Sequence, residues 1–74
     1  MKKTNNKESK KYIDKAIRIL LANNIEYTIY DAYKGPIFVE QPVLPDVIRS
    51  LVNAGLDVMY ARWHNAVLQI NAPI

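Results

Sequence analysis

Apolar positions along the chain change period several times, and each change marks an element. Ile13, Ala16, Ile17, Leu20 and Leu21 recur at helical spacing and predict a first helix with one apolar stripe. Ser9 is suited to cap its start, and Asn23-Asn24 to end it, because Asn tolerates the left-handed conformation that closes helices. From Ile25 to Tyr30 apolar and polar residues alternate and β-branched and aromatic types dominate, which predicts a strand. Residues 31–36 read as a turn ending in Gly35-Pro36, and residues 37–40 as the return strand. After the connector Gln41-Pro42-Val43-Leu44, Pro45 and Asp46 suit the first turn of a second helix. Its stripe is Val47, Ile48, Leu51 and Val52, and Gly55 ends it. Residues 56–62 predict a third strand, Trp63-His64-Asn65 a tight turn, and residues 66–71 a fourth strand.

The order α-β-β-α-β-β repeats one unit twice. The halves align without gaps at an offset of 31, pairing Ile17 with Ile48, Arg18 with Arg49, Leu20 with Leu51 and Pro42 with Pro73. An internal duplication and two units that need the same pattern are both compatible with this. Two such units with right-handed crossovers predict an α+β fold. It has a four-stranded antiparallel sheet with both helices on one face, a permuted ferredoxin-like arrangement.

Alternation then sorts the sheet. The inner face takes Ile25, Tyr27, Ile29, Ile37, Val39, Leu56, Val58, Tyr60, Ala66, Leu68 and Ile70. The outer face takes Glu26, Thr28, Tyr30, Phe38, Glu40, Asp57, Met59, Ala61, Val67, Gln69 and Asn71. Tyr30, Phe38, Met59 and Val67 are more apolar than a solvated face requires, and Trp63 stands at the hairpin tip beside them. That composition favours an interface. A body of this size has a core worth about 3–5 kcal/mol, so a homodimer through the outer face or the hairpin tips is expected.

Charge and candidate chemistry narrow the function classes. Ten Lys and Arg against seven Asp and Glu give +3, with half of the residues hydrophobic, which is a globular composition. Lys2, Lys3, Lys7, Lys10 and Lys11 against Glu8 concentrate that charge in the first eleven residues, and the rest of the chain is slightly acidic. Residues 1–8 are therefore expected to be a disordered basic tail on a single domain over 9–74. The tail reads as a solubilising arm or as a salt-sensitive polyanion contact. Cys is absent, which excludes disulfides and thiolate chemistry, and a single His excludes multi-His metal sites. No apolar run approaches a membrane span. No secretory leader is evident, so a cytoplasmic location is expected.

His64 has no nucleophile near it in sequence logic, since Ser9 and Ser50 fall on the helices. Two glycines cannot build a phosphate loop. Glu26 and Asp57 are expected to lie near each other on the outer face as a solvated carboxylate pair. The chain is accordingly expected to be non-enzymatic and to carry no cofactor and no metal. The sheet aromatics could stack on nucleic-acid bases, but Glu26, Glu40 and Asp57 would repel phosphates. Gln41-Pro42-Val43-Leu44-Pro45 has the Gln-x-x-Leu spacing of peptides that bind bacterial sliding clamps. The plainer reading is Val43 and Leu44 stapling the second helix to the sheet. The candidate interaction residues are Tyr30, Tyr33, Phe38, Glu40, Met59, Arg62, Trp63 and His64.

The Lys-, Asn-, Ile- and Tyr-rich usage, the short length and the missing catalytic set resemble the small early host-takeover proteins of Gram-positive bacteriophages. Within them the chain is similar to the sliding-clamp inhibitors of Twort-type staphylococcal phages. That resemblance implies a compact dimer blocking the clamp's DNA channel in the host cytoplasm. The first expectation is thus a protein-binding inhibitor or regulator acting on a host replication protein. A nucleic-acid-binding module using sheet aromatics and the basic tail comes second, and a structural subunit third.

Overall fold

The computed structural model describes residues 6–31, 35–61 and 66–73. Its elements are α1 (Asn6–Ala22), β1 (Thr28–Ile29), β2 (Ile37–Val39), α2 (Pro45–Asn53), β3 (Asp57–Tyr60) and β4 (Leu68–Asn71). The four strands form one antiparallel sheet in the order β1-β2-β4-β3. Moving the first strand of a β-α-β-β-α-β ferredoxin-like unit to its end produces this order. The expected α+β class and element order are therefore what the chain adopts.

One layer of side chains holds the two halves together. Ile13, Ala16 and Leu20 from α1 and Val47 and Leu51 from α2 are buried against Ile37, Val39, Leu68 and Ile70 of the two central strands. Both helices thus cover the same sheet face. Leu21 and Val52, the last residues of the two expected stripes, are exposed instead. A helix resting on a sheet buries a narrower arc than a full amphipathic face supplies.

Each helix stops by the same device. The Asn24 N–H donates to the Leu21 carbonyl at 3.1 Å and the Ile25 N–H to the Leu20 carbonyl at 2.9 Å. In the second half the Gly55 N–H donates to Val52 at 2.9 Å and the Leu56 N–H to Leu51 at 3.1 Å. This is the Schellman closure, and it needs a left-handed residue before the last donor. Asn24 has φ 58° and Gly55 φ 94°.

Several boundaries differ from the sequence expectation. α1 begins at Asn6, inside the segment expected to be a disordered tail. Ser9 is buried within the helix rather than capping it. A helix four residues apart from Ile13 on the same face carries Ser9 under the core edge. The strands are shorter than the alternating runs, most of all β1, which keeps only two residues. At the start of β4 both Val67 and Leu68 face Val39. The Val67 N–H donates to the Val39 carbonyl at 2.7 Å although Val39 is in register with Leu68. That extra residue is a bulge, and it interrupts the expected strand before Leu68.

Candidate interaction surface on the uncovered sheet face

With both helices on one side, the other side of the sheet carries the outward residues of every strand. Register aligns Thr28 with Phe38, Phe38 with Gln69, and Gln69 with Met59. These four residues form one row that crosses all four strands. Phe38 stands near its middle and is only 7% exposed, apart from the main core cluster. Its ring meets the Tyr30 ring edge-on, with centroids 6.4 Å apart and planes at 82°. That geometry sets the positive edge of one ring against the negative face of the other. Tyr30 is 74% exposed, so it presents the accessible side of this aromatic pair. Phe38, a candidate interaction residue on the outer face, is thus a nearly buried support for the exposed Tyr30.

Acidic groups flank the row. Glu26, just before β1, and Glu40, just after β2, are both exposed. A hollow of about 190 Å³ is lined by both of them with Thr28, Phe38 and Gln41. A second, of about 230 Å³, shares Thr28, Phe38 and Glu40 and adds Tyr30. Gln41 fixes the rim, since its side-chain Oε1 accepts from the Glu26 backbone N–H at 3.2 Å. Asp57 also faces outward, opposite Asn71. It does not approach Glu26 as expected. The strand order puts β1 and β3 on opposite edges, three interstrand spacings or about 14 Å apart. Glu26 instead lines the first hollow together with Glu40, a juxtaposition that only the fold reveals.

The remaining candidates distribute as follows. Met59 lies on the outer face of edge strand β3 and is partly exposed. Tyr33, Arg62, Trp63 and His64 lie outside the described residues. Tyr60, assigned to the inner face by alternation, is 83% exposed, because β3 is an edge and has no strand beyond it. In the connector, Val43 packs on the core, whereas Leu44 is 72% exposed and does not staple α2 to the sheet. Leu44 serves α2 through its backbone, its carbonyl accepting from Val47 at 3.0 Å and Ile48 at 3.2 Å. Gln41, the first residue of the Gln-x-x-Leu spacing, is the residue that braces Glu26.

Among the described residues no group of three or more His, Asp or Glu could hold a metal ion. No described helix is long and apolar enough to cross a membrane. Comparison with protein-family models, with curated proteins and with solved structures returned no match to this chain.

Proposed function

We propose that this chain is a small non-enzymatic protein-binding inhibitor or regulator that docks through its uncovered sheet face. The observation that carries the reading is the combination of the Tyr30–Phe38 ring pair with Glu26 and Glu40 around adjoining hollows on one face. Aromatic side chains supply large contact area at low entropic cost, and carboxylates at the rim select a partner by charge. The described outer-face residues include three acids and no Lys or Arg. Such a face fits a basic protein surface and disfavours a phosphate backbone. A host replication protein with a basic DNA-binding channel meets that requirement. The sliding clamp is the candidate by resemblance to the phage clamp inhibitors, which also makes a phage-encoded, cytoplasmic protein the working identity.

The test is a titration of the protein against a bacterial sliding clamp and against single- and double-stranded DNA, at low and high salt. Clamp binding that weakens by about tenfold or more in Glu40→Lys supports the proposal. Tight, salt-sensitive DNA binding without clamp binding would replace it with the nucleic-acid reading.

A further inference from the structure

The two edges of the sheet differ. The β1 edge is two residues long and is preceded by exposed Glu26. The β3 edge is four residues long; exposed Asp57 at its start is its one charged residue, and it contains no Lys, no Pro and no bulge to protect it further from pairing. Its free hydrogen-bonding groups can be assigned. The Ala61 N–H donates to the Val67 carbonyl at 3.1 Å. An antiparallel ladder alternates, so Met59 and Asp57 also face β4, and the N–H and C=O of Val58 and Tyr60 turn outward.

Beside that edge, Ile48, Val58, Met59, Tyr60 and Leu68 line an apolar hollow of about 210 Å³. Tyr60 forms one wall of it and is largely exposed. An exposed ring and an apolar hollow therefore share one strand edge. We infer that β3 pairs with β3 of a second copy of this chain, joining the two sheets into one continuous eight-stranded sheet.

The symmetry selects a register. A two-fold axis perpendicular to the sheet keeps inner residues opposite inner residues, so the axis must pass beside a residue rather than between two. Centring on Met59 sets Val58 opposite the second copy's Tyr60 on both sides of the axis. Those are the residues whose backbone groups point outward, and each such pair exchanges two hydrogen bonds. Each Tyr60 ring then lies against the Val58 side of the other copy's hollow. Asp57 falls opposite Ala61, so the two copies of Asp57 are not apposed. The outer face, with Tyr30, Glu26 and Glu40, remains uncovered in both copies. The inference is therefore independent of the proposed docking function.

The chain contains no cysteine, which permits a direct test in the full-length protein. Residues in a non-hydrogen-bonded antiparallel pair have Cα atoms about 4.5 Å apart, within disulfide range. Met59→Cys is expected to form a disulfide-linked dimer under mild oxidation. Thr28→Cys, on the same face of the opposite edge, is expected to stay a thiol. Sedimentation should give wild type twice the 8.5 kDa of one chain. Tyr60→Lys should raise the dimer dissociation constant by about tenfold or more without changing the circular dichroism spectrum. A wild type that sediments as a monomer at high concentration overturns the inference. So does cross-linking of Thr28→Cys in place of Met59→Cys, or a dimer broken by Tyr30→Lys and not by Tyr60→Lys.

Discussion

Asn24 and Gly55 occupy equivalent positions 31 residues apart, each in a left-handed conformation at the end of a helix. Their demands differ. Asn24 has φ 58°, which Asn adopts at modest cost. Gly55 has φ 94°, and a Cβ there would stand 3.0 Å from the Tyr12 ring carbon Cε1. Asn24→Gly should therefore be neutral or stabilise by up to about 1 kcal/mol, and Gly55→Ala should destabilise by about 1–3 kcal/mol. Urea denaturation of both variants reads the difference. A Gly55→Ala protein as stable as wild type would remove Tyr12 packing from the account.

Phe38 and Tyr30 should separate stability from binding. Phe38→Ala empties a nearly closed site and should cost about 3 kcal/mol, a large share of the stability of a domain this small. Tyr30→Ala removes the exposed half of the ring pair and should cost about 1 kcal/mol or less. Thermal unfolding checks both. On the proposed function, Tyr30→Ala should weaken partner binding while the fold persists.

Glu40→Lys should move stability and function in opposite directions. Like charges held near each other are unfavourable, and Glu26 and Glu40 line the same hollow. Reversing one charge should leave stability unchanged or raise it by about 0.5 kcal/mol, with the gain reduced at high salt. Affinity for a basic partner should fall in the same variant. Loss of folding would show that Glu40 is held by contacts other than charge.

The basic N-terminal residues can be tested without damaging α1. Because α1 starts at Asn6, removal of residues 1–8 would delete its first turn, whereas removal of residues 1–5 spares it. The shorter deletion takes Lys2 and Lys3 and should leave helicity and protein-partner affinity within about twofold of wild type. For a nucleic-acid binder the same deletion should flatten the salt dependence of affinity by up to about two units of log–log slope.

The amino-acid order is enough to place the elements in sequence, the C-terminal ends of both helices and the inward residues of the two central strands. Those depend on local chemistry: helical and alternating periods, Asn24 and Gly55 as left-handed stops, and β-branched residues between turns. The offset of 31 that aligned Leu20 with Leu51 reappears as two Schellman closures, since both halves end their helices through those carbonyls. What surrounds a side chain was decided only in three dimensions. Phe38 and Tyr60 sit on opposite parities of their strands. Yet the outward one is buried and the inward one exposed, because Phe38 lies on a central strand beside the Tyr30 ring and Tyr60 lies on an edge. Likewise Glu26 shares a hollow with Glu40 and not with Asp57, because strand order decides which carboxylates come together. Alternation assigns a residue to a face, but burial and charge pairing depend on which strands lie beside it, and that is a property of the assembled sheet.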